Sequence, residues 1–354
     1  MTGPNDTSNR DKDGGRDKNG DQNRHARLQL YADACERLFG RKAERIAFPG
    51  GSNRKSAVVT CGDDAWVFSR RASAARAELE AGVLGELHRL GAPVPAPVAQ
   101  KDAWIVQQFL PGERLSTAMD GMAPDARTRW LDEAIRSLAL IHEAGRRAGL
   151  ERRVVVIGAR AGWIEQLIDM PRRLALELAL PPPVVPADGL RSRLTPKRPR
   201  FIKWDARPGN ALAGAGGDVF WFDWEHCGCR DPLDDLAWLL GDEWAPDDDG
   251  MEGALLARHL GAFADGRSAD EARACLMAFG AFHMAVRLSL IVEHRGDGPW
   301  WDRAYSLAHD KIGVTPDGVA RLCARGARWA SADGATAPLA AWFRAAGDRI
   351  LARR

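Results

Sequence analysis

The sequence has 354 residues, 45% hydrophobic and 28% charged, with 50 basic against 48 acidic residues and a formal net charge of +2. That is enough chain for two lobes with cores of their own, in the composition of a soluble globular protein; the near-balanced charge argues against a dedicated nucleic-acid binder, which carries a basic excess. No apolar run approaches the roughly 20 residues that span a bilayer, and the opening MTGPNDTSNRDKDGG lacks a signal peptide's apolar core, so no membrane partner and a cytoplasmic location are expected.

Residues 1–24 are nearly all Asp, Asn, Gly, Lys, Arg and Ser, and are expected to form a disordered tail. Apolar residues then recur at helical spacing from Leu28 to Leu38. Three short strand-like runs follow, RIAF, SAVVT and AWVFS, separated by the Gly-rich PGGSNRK and the turn CGDD. This predicts an antiparallel meander. A helix over about 74–90 and two more strands, PVAQ and AWIVQQFL, complete a small α+β lobe over 25–110. From 111 to 354 the chain reads as mostly helical, with helices expected near 124–145, 160–179, 231–241, 251–264, 270–294, 301–311 and 335–352. A Pro- and Arg-rich linker (181–200) leads to RFIKW and VFWFDW, which are expected to be the only strands of this half.

Four features carry chemistry. In FPGGSNRKS (48–56), Gly50 and Gly51 let the backbone come close to a ligand, so that free N–H groups can face phosphate oxygens; a hairpin turn accounts for the same residues. The third strand ends in Arg70 and Arg71, and the next helix offers Glu78 and Glu80. An arginine held by a glutamate can clamp phosphates in place of the usual lysine. In FIKWDARPGN, Asp205 and Asn210 stand five residues apart in a Pro-Gly loop. There a carboxylate can take a hydroxyl proton and an amide oxygen can ligate Mg²⁺, although an Asx-rich turn has the same composition. Asp223 ends an aromatic strand 18 residues after Asp205, across the turn GAGGD, and can bring a second carboxylate to the same site. Asp231-Pro232 suits a helix start, and Asp235 falls on that helix's first turns in a structural place. The six cysteines are scattered, and HCGC (226–229) lacks a second ligand pair for zinc.

With their order, GGSN, ELEAGVLGELHRLGAPVPAP, QQFLPGERL, LALIHEAG, DARPGN and FDWEHCGCRDPLDDLA resemble the aminoglycoside phosphotransferase and choline kinase family, from about Glu44 to Leu240. The resemblance implies a protein-kinase-like two-lobe α+β fold, with a small β-rich N-lobe and a larger helical C-lobe. It also implies an ATP- and Mg²⁺-dependent phosphotransferase acting on a small hydroxyl-bearing molecule. By it, Asp205 would be the catalytic base, and Asn210 and Asp223 the metal ligands. Gly50, Gly51 and Ser52 would cover the phosphates, and Glu80 would pair the phosphate-binding cation. Residues 105–110, with Gln107, would form the hinge that holds adenine.

Two positions depart from the family pattern. The strand cation falls at Ser69 or Arg70 according to register, and Arg70 is favoured. Lys203 stands two before the Asp, where the family has His; its ammonium is expected either to reach the phosphates or the two acids, or to prop the loop. These departures motivate an alternative, a nucleotide-binding pseudokinase with a regulatory or scaffold role. For the acceptor, Asp242, Glu243 and Asp247–Asp249 would favour a cation if they line the site, or form a solvated acidic loop. Trp244, Trp300 and Trp301 could face an ammonium, or pack between helices.

Overall fold

Along Ser56–Cys61 every second side chain (Ala57, Val59, Cys61) is buried, the period of a strand covered on one face. The computed structural model describes residues 13–49, 51 and 54–353. They fall into two units, one of residues up to Ala81 plus Pro97–Phe109, the other of Gly82–Ala96 plus Leu110 onward.

The first unit opens with α1 (Asp13–Phe39), followed by β1 (Arg45–Ala47), β2 (Ser56–Cys61), β3 (Asp64–Arg70), the start of α2 (Ala74–Arg89), β4 (Pro97–Lys101) and β5 (Trp104–Gln108). The strands form one antiparallel sheet in the order β1-β2-β3-β5-β4. Tyr31, Ala34 and Cys35 of α1 share a buried cluster with Ala57, Val59, Cys61, Phe68, Trp104 and Val106. α1 also differs from expectation, because it begins at Asp13, inside the stretch read as a disordered tail. Once a helix is anchored by packing, each further residue adds a backbone hydrogen bond without a new nucleation cost, so polar sequence can continue it. The rest of that tail, 1–12, lies outside the described residues.

The second unit contains β6 (Glu113–Arg114), α3 (Leu115–Ala118), α4 (Pro124–Ala148), α5 (Trp163–Ile168), α6 (Met170–Glu177), α7 (Ala187–Leu194) and β7 (Arg200–Ile202). β8 (Ala211–Ala213), β9 (Val219–Trp221), β10 (Gly228–Arg230) and α8 (Leu233–Leu240) follow. The chain closes with α9 (Asp249–Phe263), α10 (Ala269–Arg295), α11 (Arg303–Ala308), α12 (Pro316–Ser331) and α13 (Pro338–Ala352). RFIKW and VFWFDW are therefore not the only strands here: β7 pairs with β10, and β9 pairs with β8, which pairs with β6. These partners are two or three residues long, too short for an alternating pattern to mark them in sequence. Gly145 of α4 sits against the Phe201 ring, where a Cβ would collide with it, so the glycine sets how closely β7 lies on that helix. α10 is long and apolar enough to cross a bilayer, yet 78% of its apolar window is buried within the protein, as in a core helix. α12 was not predicted. Its opening TPDG reads as a turn, but Thr315 is an N-cap accepting from Gly318 N (3.0 Å), with Pro316 on the first turn.

Candidate active site

The loop after β7 is built on strained backbone. Trp204 (φ 55°) and Asp205 (φ 51°) are both left-handed, and so is Asp223 (φ 58°) after β9. Such conformations cost roughly 1–3 kcal/mol for non-glycine residues and need support from their surroundings. Asp235 supplies it from the buried side of α8. Its carboxylate accepts from Lys203 N (2.9 Å) and Trp204 N (2.8 Å), and meets His142 Nε2 at 2.7 Å. The structural place expected for Asp235 is thus a specific one, a clamp on the backbone that presents Asp205.

Asn210 Nδ2 donates to Asp205 Oδ2 (2.8 Å) and to the Asp205 carbonyl (2.9 Å), while Arg207 Nε donates to Asp205 Oδ1 (3.0 Å). Burial works to raise the Asp205 carboxyl. The charges of Arg207, Lys203 and Arg287 outweigh it and hold the group below the usual carboxylate value. Its side chain keeps 20% exposure, so the carboxylate is ionised and reachable. Phe222 N donates to the Asn210 carbonyl (3.1 Å), which ties the Asp223 turn to the loop. The structure thus brings Asp205, Asn210 and Asp223 together. With the Asn210 nitrogen committed to Asp205, its amide oxygen is turned the other way, toward a role as acceptor. An amide oxygen and a neighbouring carboxylate fit Mg²⁺, which takes one or two protein ligands and fills its shell with water and phosphate. Among the described residues, no group of three or more His, Cys, Asp and Glu could hold a metal.

Lys203 is fully buried. Its Nζ donates to the carbonyls of Asp223 (3.2 Å) and Asp205 (3.4 Å) and lies 5.5 and 5.7 Å from the ring centres of Trp224 and Trp221. Burial lowers its pKa, against the pull of Asp205, Asp223 and Asp235. A side chain so placed props the two acidic turns from beneath, and the expected phosphate contact gives way to that role.

In the first unit the cation paired with Glu80 is Arg71, where Arg70 was expected. Arg71 Nε and Nη2 reach the Glu80 carboxylate at 2.5 and 2.7 Å, and both side chains are buried. Arg70 is exposed at the end of β3. The reason is alternation: Ser69 and Arg71 share one face and Arg70 takes the other, beyond the buried Phe68 at the exposed end of the strand. Gln107 is buried beside this pair, its Nε2 donating to Glu80 Oε1 (3.3 Å). Gly51 has φ 107°, which suits glycine, and its N–H donates to the Phe48 carbonyl (3.1 Å). Gly50 and Ser52 lie outside the described residues.

Around Asp205 the second unit carries a shell of buried charge. Arg207 reaches Asp310 (3.7 Å), and Arg114 meets the same carboxylate (3.4 Å) while also donating to the Gly209 carbonyl. Arg287 holds Glu243 with two bonds (2.5 and 3.0 Å), and Gly313 N adds a third (2.9 Å). Burial opposes ionisation of Glu243, but Arg287 keeps its carboxyl low; burial and the Glu243 charge push the neighbouring Asp242 up. The acidic stretch is therefore divided: Asp242 and Glu243 are buried, while Asp247, Asp248 and Asp249 are exposed. Glu243 is paired, Asp247 binds Arg328 (2.7 Å), and Asp248 caps α9 through Met251 N (2.9 Å). The tryptophans first singled out face the protein's own groups: Trp244 faces Arg303, Trp300 faces Arg295, and Trp301 meets the His294 ring. Trp204, the residue before Asp205, meets the rings of Trp163 and Trp238, and His283 lies against Trp238. No sequence signal separated these from the other tryptophans, since only the fold brings them to one place.

The chain matches the phosphotransferase enzyme family over residues 44–275, more than half its length, and belongs to that family. Among solved structures it is similar to a protein of Ralstonia eutropha JMP134 provisionally assigned as an aminoglycoside phosphotransferase, at 16% identity and TM-score 0.54, covering 86% of this chain and 98% of that one. It is similar to an aminoglycoside phosphotransferase of Alicyclobacillus acidocaldarius at 12% identity and TM-score 0.51, covering 81% and 91%. Spectinomycin phosphotransferase APH(9)-Ia, solved with ADP and spectinomycin, matches at 11% identity and TM-score 0.51, covering 83% and 98%. At these identities the likeness establishes the fold, the protein-kinase-like α+β architecture expected above. A search of curated proteins finds no match.

Proposed function

We propose that this protein is an ATP- and Mg²⁺-dependent phosphotransferase that moves the γ-phosphoryl group to a hydroxyl of a small molecule. The observation that carries the reading is the Asp205 carboxylate, ionised, partly exposed, fixed by Asn210 and Arg207, and presented on a left-handed loop clamped by Asp235. Asp205 orients the acceptor hydroxyl and takes its proton as the oxygen bonds to the γ-phosphorus and the bond to ADP breaks. The Asn210 amide oxygen and Asp223 would hold Mg²⁺, which neutralises developing phosphate charge when bound. Arg71, set by Glu80, is the phosphate-binding cation, and the 48–56 turn is the phosphate loop. The ADP in the spectinomycin phosphotransferase structure supports nucleotide use by this fold.

Two observations weigh against a pseudokinase: the strand cation is present as Arg71, and Lys203 serves the loop from below. The reaction is tested by ADP release from ATP and Mg²⁺ over a panel of amino alcohols, aminoglycosides, sugars and ring-bearing alcohols. Asp205→Ala should abolish acceptor-stimulated release, and unchanged turnover in that variant would end the mechanism. The reading includes a cytoplasmic location, where ATP is supplied.

A further inference from the structure

The loop that carries Asp205 meets a carboxylate from far along the chain. Asp310 stands more than a hundred residues after Asp205, just past α11 and beyond the residues 44–275 that match the family. Its N–H donates to the Leu307 carbonyl (3.1 Å) and its backbone is left-handed (φ 47°), so the chain turns out of the helix there. Asp adopts this conformation more readily than most residues. The carboxylate lies buried against Gly209, the residue before Asn210. A Cβ at position 209 would stand 2.2 Å from Asp310 Oδ1, so the glycine is what admits the carboxylate to the loop.

Asp310 completes a row of alternating charges. Arg114 Nη1 lies 3.4 Å from Asp310 Oδ2, Arg207 Nη2 lies 3.7 Å from Asp310 Oδ1, and Arg207 Nε donates to Asp205 Oδ1 at 3.0 Å. Arg114 also donates to the Gly209 carbonyl and faces the Phe222 ring, 5.1 Å from its centre. The four side chains are 4–20% exposed. Charges so far out of water need opposite neighbours, and removing one leaves its partner uncompensated. Burial opposes the Arg207 charge, and Asp205 and Asp310 together outweigh it, so the guanidinium stays charged.

The two ends of that guanidinium have different partners: Nε serves Asp205 and Nη2 serves Asp310. An arginine free to choose would turn a two-nitrogen edge on one carboxylate, the stronger arrangement. On Asp205 such an edge would occupy both oxygens of the group that the acceptor hydroxyl must reach.

We propose that Asp310 is a positioning residue for phosphoryl transfer: it holds Arg207 by Nη2, so that the guanidinium meets Asp205 through Nε alone and leaves the carboxylate open to the acceptor hydroxyl. The proposal rests on the phosphotransferase reading for the reaction, while the brace itself has a readout apart from turnover.

Asp310→Asn keeps the shape and removes the charge. Steady-state ATP hydrolysis at fixed Mg²⁺ should show kcat at least tenfold lower with KM for ATP within twofold, the pattern of a change felt in the transition state. Gly209→Ala displaces the carboxylate without altering any charge, so it should reproduce the loss, and it replaces Asp310→Asn if that variant does not fold. In an Arg207→Met background Asp310→Asn should change kcat by less than twofold, because its effect passes through the guanidinium; a merely structural residue would cost as much in either background. Hydrogen exchange by mass spectrometry on the full chain reads the brace directly. Amides over 204–211 should exchange at least tenfold faster in Asp310→Asn, and those of α12 and α13 as in the parent protein. A kcat within twofold of the parent, a loss carried by KM, an equal loss in both backgrounds, or unchanged loop exchange overturns the proposal. If the parent protein releases no ADP with any acceptor, the phosphotransferase reading fails and loop exchange alone decides on the brace: faster exchange confined to the loop sustains it, and unchanged exchange ends it.

Discussion

Lys203→Met separates two roles for the residue that departs from the family pattern. In the structure the ammonium is fully buried and donates to two carbonyls, those of Asp223 (3.2 Å) and Asp205 (3.4 Å). A hydrogen bond from a charged donor contributes about 1.5–3 kcal/mol at good geometry, and these are at the long end of the useful range. Together they hold the loop by about 2 kcal/mol. Methionine fills similar volume and removes the cost of burying a charge, so global stability should change by about 1 kcal/mol or less. What is lost is the tie between the two left-handed turns that carry Asp205 and Asp223. If roughly 1.4–2 kcal/mol of positioning reaches the transition state, kcat falls by about 10- to 30-fold. No nucleotide contact is removed, so KM for ATP should stay within about twofold. Steady-state ATP hydrolysis without acceptor, at varied ATP and fixed Mg²⁺, measures both constants. A rise of tenfold or more in KM for ATP with kcat preserved would place the ammonium on phosphate and refute the prop.

Three further outcomes follow from the same geometry. Arg71→Met should raise KM for ATP at least tenfold and Arg70→Met should leave it nearly unchanged, because only Arg71 is held by Glu80; the opposite ranking in the same hydrolysis assay would restore the original register. Asp235→Ala removes the acceptor for two backbone donors and the partner of His142, so urea unfolding should register a loss of roughly 3–5 kcal/mol. A loss below about 1 kcal/mol would show that the left-handed loop is held by something else. His283 takes its proton near pH 3 when folded and about 6.5 when unfolded. Between those values the unfolded state therefore binds more protons, and stability falls as pH drops. At pH 5 that amounts to about 2 kcal/mol relative to pH 7.5, and His283→Gln should lose that much less than the parent protein across the same range. Parallel pH profiles for the two proteins would contradict the neutral buried imidazole.

The sequence disclosed the parts of the site whose chemistry is local and hid those that depend on a partner distant in the chain. Asp205 and Asn210 lie five residues apart in one turn, so their amide-to-carboxylate bond is nearly implied by the spacing. Lys203 shares their strand end, but alternation fixes only its side; whether it faces phosphate or carbonyl depends on the Asp223 turn 20 residues on. Arg70 and Arg71 are adjacent, and choosing between them needed the pairing of β3 with its neighbours, which puts Ser69 opposite Ser56 and Ile105. The ring cluster around Trp204 lay furthest out of reach, because Trp163, Trp204, Trp238 and His283 come from three helices and a loop spread over 120 residues. Each side chain alone reads as helix packing. The acidic stretch after α8 misled as composition because its carboxylates have different fates: Glu243 is held by Arg287, Asp247 by Arg328, Asp248 caps α9, and Asp242 Oδ1 accepts from Trp244 N (2.9 Å).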